Sequence, residues 1–189
     1  LPIWRAARNA VVVGPSSRLL ESVKSVTTVH RVFENRANPL AETLRALRPH
    51  QWVKNILLFV PFVTAHKLGE TWLLPPALGA FVAFSLTASA IYILNDLLDL
   101  AADRAHPVKR KRPFASGALP IIFGPPLALS LLAAGAVLGN FLPREFLAVL
   151  GIYAATTTLY SLYLKELVLV DVFCLAGLYT LRIFAGHAV

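Results

Sequence analysis

Along the first 54 residues polar and apolar positions alternate on short periods, and beyond that point charge is confined largely to the breaks between long apolar runs. "NAVVVGPSSRLLESVKS" predicts a β-branched strand, a Gly-Pro-Ser turn and an amphipathic helix, the vocabulary of a small α/β unit. "NPLAETLRALRP" predicts a second amphipathic helix, with Asn38 as its cap and Pro39 at its first position. Leu40, Leu44 and Leu47 share one face of it, with Arg45 and Arg48 off that face, and Pro49 ends it. Such a helix lies at a membrane surface, and Trp52 stands where an interfacial aromatic belongs. From Asn55 onward the apolar runs lengthen, with expected spans at 55–68, 73–99, 119–140, 146–164 and 168–188. Most come close to the roughly 20 residues needed to cross a hydrocarbon core, and the first is the weakest. The pattern divides the chain into 1–36 (soluble α/β), 37–54 (juxtamembrane helix and linker) and 55–189 (transmembrane). The fold class expected is therefore an all-α integral membrane bundle of about five spans behind a short α/β remnant.

Composition agrees: 57% of the 189 residues are hydrophobic and 15% charged, and mean hydropathy is +0.64. The net charge of +8 is carried largely by loops, as in membrane proteins, and no helix–turn–helix, RNA-recognition motif or aromatic-studded basic groove accompanies it. Nucleic acid is therefore not an expected partner. Basic residues collect before the first span (Arg45, Arg48, Lys54), after the second (Arg104, Lys109, Arg110, Lys111, Arg112) and after the fourth (Lys165). The positive-inside rule then puts the N-terminus and these loops in the cytoplasm, in a multi-pass plasma (inner) membrane protein. Cys174, the single cysteine, reads as a small buried hydrophobe. The chain begins at Leu1 without a signal peptide and ends within an apolar run, so it reads as a piece of something longer.

The chemistry gathers at one place. "ILNDLLDLAADRAHPVKRKRPFASG" puts Asp96, Asp99 and Asp103 at i, i+3 and i+7 on one helix face, with Asn95 beside Asp99. Three carboxylates so close repel one another near a bilayer unless a cation sits among them. Mg²⁺, which takes carboxylate oxygens and completes its shell with water and substrate phosphates, is the simplest. The basic run that follows offers ammonium and guanidinium groups to the remaining phosphate oxygens. A solvated, charge-balanced juxtamembrane loop is the alternative reading, although the acids begin inside the apolar span. Asp171 and Arg182 lie within the last span, eleven residues and about 16 Å apart, too far to pair directly. Asp171 is expected level with the aspartate turn. Arg182 is expected either in the cavity or in a structural pair.

These residues resemble a known family. "NDLLDLAAD" is similar to the first aspartate-rich motif of the UbiA superfamily of intramembrane prenyltransferases. "LRPHQWVKN", the sequence around that motif and "YSLYLK…VDVFCLAGLYTLRIFAG" resemble the superfamily's decaprenyl-phosphate phosphoribosyltransferase branch. Residues 1–36 resemble the closing strand and helix of a haloacid-dehalogenase-type (HAD-like) phosphatase domain, without its catalytic aspartates. The resemblance implies Mg²⁺-dependent transfer of 5-phosphoribosyl from phosphoribosyl diphosphate to a polyprenyl phosphate lipid in cell-wall arabinan (arabinogalactan) precursor synthesis. It implies Asp96, Asp99 and Asp103 as catalytic metal ligands, with Asn95 assisting. It also implies Arg104, Lys109, Arg110 and Arg112 on donor phosphates, with Lys54, Tyr160 and Lys165 facing the same pocket, which Asp171 is expected to join from its place in the last span. A second aspartate pair common in the superfamily is absent near Lys165 and Asp171, which suits a donor other than a prenyl diphosphate. A polyprenyl transfer to an aromatic acceptor in quinone synthesis and an anionic-metabolite transporter remain competing readings. Homo-oligomeric assembly is left open.

Overall fold

Helix α5 (Leu74–Leu98) organises the membrane part. It opens on Pro75 and Pro76, at positions where a missing N–H costs nothing. Residues 74–95 carry no charge, as expected of a helix that meets protein or lipid on every side. Helix α5 lies at the centre, touching α7 (Gly124–Gly139), α8 (Arg144–Leu162) and α9 (Val168–His187). The computed structural model describes residues 2–14, 17–33, 38–66, 69–164 and 168–189. Within these, four helices are long and apolar enough to cross a membrane: Thr71–Leu98, Ile121–Gly139, Arg144–Leu162 and Leu169–His187. One core cluster joins Phe84 and Ile91 of α5 to Phe146 and Tyr153 of α8 and Leu178 of α9. A second packs Ala90 and Ile93 against Ala128 and Leu131 of α7 and against Phe114 and Leu119 of the intervening loop.

Small residues set the α5–α7 distance. The buried stripe of α7 is Gly124, Ala128, Leu131, Gly135 and Gly139. A Cβ on Gly135 would lie 2.5 Å from the Thr87 hydroxyl and 3.0 Å from the Ala83 carbonyl. Lipid offers no hydrophobic drive between helices, so this close approach and the dispersion it permits hold the pair.

The weakest expected span takes a different form. Pro49–Phe59 is a 3₁₀ helix, followed by the short α-helix α4 (Val60–Thr64). Four membrane-length helices are therefore found among the described residues, where the hydropathy pattern suggests about five; Lys67 and Leu68 lie outside them. Pro49 and Pro61 stand in the first turns of the 3₁₀ helix and of α4 and so mark the two starts into which the expected span divides. A 3₁₀ helix rises ~2.0 Å per residue, so the eleven residues cover about 22 Å of path with few side chains. This segment packs on both α5 and α9. Ahead of it, α3 (Pro39–Leu47) has Leu40 and Leu44 exposed and Ala46 buried.

The contacts separate Leu1–Asn38 from Pro39–Val189 as two compact units. In the first, α1 (Pro2–Ala6) precedes β1 (Asn9–Val13), α2 (Ser17–Lys24) and β2 (Thr28–Phe33). The strands are parallel, which demands a crossover, and α2 supplies it. Ala10, Val12 and Val23 form its small core, with Trp4 and Val29 against it. The strand and amphipathic helix agree with the hydropathy pattern; Pro15 and Ser16 of the expected turn lie outside the described residues.

Candidate functional site

The acidic end of α5 runs into α6 (Leu100–Ala105) through a bend at Asp99 (φ −88°, ψ 11°). The Asp103 N–H still donates to the Asp99 carbonyl (2.8 Å), so helical register is nearly preserved. Asp96 and Asp103 are consequently side by side and each 1% exposed, while Asp99 is half-buried.

Two guanidinium groups hold this pair. Arg112 Nη1 donates to Asp103 Oδ2 (2.6 Å) and Asp96 Oδ1 (3.1 Å), and Arg48 Nη2 donates to Asp96 Oδ1. The loop delivers Arg112 because the next aromatic, Phe114, is fully buried between α5 and α7 residues. The loop also closes on itself, with the Arg112 carbonyl accepting from the Ser116 N–H (2.9 Å) and that of Pro113 from Leu119 (3.0 Å). Arg48 is delivered by the break between α3 and the 3₁₀ helix, where it adopts φ 52°, ψ 56°. A left-handed arginine before a proline is costly and persists only where its surroundings fix it. Arg45 ties α3 to the loop by donating to the Lys111 carbonyl (3.1 Å).

Between α3, the first turn of the 3₁₀ helix and the loop lies a cavity of about 710 Å³. Asp96 forms part of its wall, surrounded by Arg45, Arg48, Lys109, Lys111 and Arg112, with His50 at the rim sequence. Arg45 is paired with Glu42 (2.9 Å), and Arg48 and Arg112 with the aspartates, which leaves the surplus positive charge that attracts an anion on Lys109 and Lys111. Asp96 Oδ2 and Asp103 Oδ1 are buried and accept no hydrogen bond. Orphaned carboxylate oxygens of this kind are hard anionic donors, the type Mg²⁺ prefers. Among the described residues no three acidic, cysteine or histidine side chains converge into a metal cage. Mg²⁺ ordinarily uses one or two carboxylates and draws its other ligands from water and substrate phosphate, so the two orphaned oxygens fit it.

The other residues singled out by sequence lie elsewhere. Lys54 and Asn95 are half-buried and outside the cavity lining. Arg104 and Arg110 are exposed, and Arg104 reaches the Ala115 carbonyl at 3.4 Å. The Tyr160 hydroxyl donates to Asp171, joining α8 to α9. Neither of these two lines the cavity. Lys165 lies outside the described residues. Arg182 is 5% exposed and takes neutral partners, as described below. Arg45, Arg48 and Lys111 enter the site without having been singled out as site residues, since their sequence signal, positive charge on the same loop side as the aspartates, carries no distance information.

The chain spans about half, or less, of the length of the curated relatives it matches. It is 38% identical over 188 residues to "Uncharacterized protein y4nM" of Sinorhizobium fredii, covering 99% of this chain and 36% of that protein. It is 41% identical over 148 residues to "Nodulation protein NoeC" of Azorhizobium caulinodans, covering 78% and 48%. It is 35% identical over 159 residues to "Decaprenyl-phosphate phosphoribosyltransferase" of Mycobacterium tuberculosis, covering 82% and 53%. The UbiA prenyltransferase family model matches residues 56–189. That match covers most of the chain, and the chain belongs to the UbiA prenyltransferase family.

Proposed function

We propose that the protein is a membrane-embedded transferase that moves 5-phosphoribosyl from phosphoribosyl diphosphate to a polyprenyl phosphate, releasing diphosphate. The observation that carries this reading is the 710 Å³ cavity, whose wall combines buried Asp96 with five basic side chains, two of them bonded to it. A diphosphate ester needs cations on its non-bridging oxygens and a metal ligand beside them; the cavity wall supplies basic side chains and Asp96, with Asp103 behind it through Arg112. The resemblance to proteins named decaprenyl-phosphate phosphoribosyltransferase supports the choice of donor and acceptor.

In this reading Asp96 and Asp103 hold Mg²⁺ through their orphaned oxygens, with Asp99 and Asn95 completing that end of α5. When bound, Mg²⁺ supplies positive charge to the leaving diphosphate. Arg48, Arg112, Lys109 and Lys111 take the other phosphate oxygens, lowering the barrier as negative charge develops on them. The bond from the ribose C1 to the diphosphate oxygen breaks with its electron pair going to diphosphate. The acceptor's phosphate oxygen forms the new bond at C1, through an oxocarbenium-like state. Lys54, Arg104, Arg110, Tyr160, Lys165 and Asp171 belong to the surrounding donor and acceptor sites. The positive loops face the cytoplasm, where the soluble donor is met, and the lipid enters from the bilayer. We also assign residues 1–36 to the end of a HAD-like domain.

The full-length protein in membranes, offered labelled phosphoribosyl diphosphate or labelled prenyl diphosphate with Mg²⁺, tests this. Label from the phosphoribosyl donor should enter the lipid fraction with release of diphosphate. Consumption of prenyl diphosphate alone would replace this reading with prenyl transfer to an aromatic acceptor. Flux across the membrane without bond cleavage would replace both.

A further inference from the structure

Arg182 lies in the C-terminal third of α9, 5% exposed. Its Nε donates to Asn55 Oδ1 (3.0 Å), Nη1 to the Leu178 carbonyl (2.6 Å) and Nη2 to the Tyr153 hydroxyl (3.3 Å). No carboxylate pairs with it among the described residues. The rings of Phe84, Tyr153 and Tyr179 surround its guanidinium at 5.7, 5.2 and 5.3 Å, a desolvated cation–π cage. A charge this deep in a span normally serves a site or a partner, and here every partner is neutral. The guanidinium therefore acts as a clamp between elements.

What it clamps is the 3₁₀ helix. Asn55, 1% exposed, accepts from Arg182 and donates to Ser85 Oγ (2.9 Å) on α5. Trp52 Nε1 donates to Ser89 Oγ (3.0 Å), which in turn donates to the Leu47 carbonyl (2.8 Å) at the end of α3. One turn beyond Arg182, Gly186 lets α9 meet the same segment, where a Cβ would lie 1.9 Å from the Leu58 carbonyl oxygen. Thus Leu47, Trp52, Asn55 and Leu58 are all fixed, and the strained, left-handed Arg48 sits inside that span.

We infer that Arg182 and Asn55 are positioning residues: by locking the 3₁₀ helix between α5 and α9 they hold Arg48 in its left-handed conformation and so place its guanidinium on Asp96. This rests on the function proposed above only in its consequence for anion binding. The contact it explains, Arg48 with Asp96, stands on the geometry alone.

A double-mutant cycle in the full-length, detergent-purified protein tests it. Arg48→Gln and Asp96→Asn are combined singly and together, and coupling is read from thermal unfolding. The cycle is repeated with Asn55→Ala, with Arg182→Gln and with Leu131→Ala, a core truncation on α7 in the other core cluster. Coupling should survive in the Leu131→Ala background and fall by at least about half with Asn55→Ala or Arg182→Gln. Asn55→Asp, which keeps an acceptor for Arg182, should restore it. Should the alanine variant fail to fold, Trp52→Phe removes a single donor from the same lock and should weaken the coupling. Coupling unchanged in the folded Asn55, Arg182 or Trp52 variants overturns the inference. Inorganic diphosphate with Mg²⁺ provides the second readout, its affinity falling about 10- to 100-fold in Asn55→Ala, as when an outer support of a binding group is removed. If the parent protein binds no diphosphate, the proposed function fails while the cycle still decides the positioning role.

Discussion

Arg112 is the single hydrogen-bond donor to the Asp103 side chain among the described residues, since the other carboxylate oxygen has no partner. Replacing Arg112 with alanine leaves that carboxylate buried and uncompensated. Breaking one half of a buried pair costs ~3–5 kcal/mol, because the surviving charge keeps its desolvation penalty. The Arg112 side chain is 27% exposed, so water reaches the vacated space and the lower figure, ~3 kcal/mol, applies. Over 189 residues that corresponds to a Tm lower by about 6–12 °C, and to a smaller shift in a longer chain. Unfolding of the full-length protein in detergent with EDTA measures it. Arg112→Ala with Asp103→Asn should be more stable than Arg112→Ala alone, because a neutral amide tolerates burial better than a bare carboxylate. Mg²⁺ should then stabilise Arg112→Ala more than the parent, since the ion supplies the missing charge; saturation at a hundred times Kd is worth ~2.7 kcal/mol. A loss below about 1 kcal/mol, the range of a solvated surface pair, together with additivity of the two substitutions, would refute the buried-pair account.

Other outcomes follow from the same geometry. Asp99→Ala should abolish turnover and Mg²⁺ dependence in labelled-donor assays of the full-length protein; retained turnover would remove Asp99 from the metal site. Lys109→Ala and Lys111→Ala should weaken diphosphate binding in titrations at low ionic strength, with the difference shrinking as salt rises and screens the cavity. Gly135→Ala should destabilise by ~1–3 kcal/mol through overpacking against Thr87 and Ala83. Gly177→Ala, where a Cβ meets nothing within 4 Å, should leave Tm at or slightly above the parent value, and equal effects at the two glycines would argue against the α5–α7 contact.

Much of the architecture follows from local pattern. The four long apolar helices are written in uncharged runs of sufficient length, because a backbone in lipid has no alternative to bonding itself. The spacing of Asp96, Asp99 and Asp103 likewise follows from helical period alone. The 3₁₀ form of Pro49–Phe59 is less legible, since hydropathy registers apolar content and not the handful of contacts that favour the narrower helix. Which cations meet the aspartates is not a local property at all. Arg48 lies 48 residues before Asp96, and Arg112 lies 16 after it. Charge sign places both on the same loop side, yet only the packing of α3 and Phe114 brings their guanidinium groups onto the carboxylates. Arg182 shows the same division: sequence marks it as an expensive charge in a span, and its partner Asn55 lies 127 residues away. Secondary structure answers to the few residues around each position, whereas a site answers to contacts that close only when the whole bundle is packed.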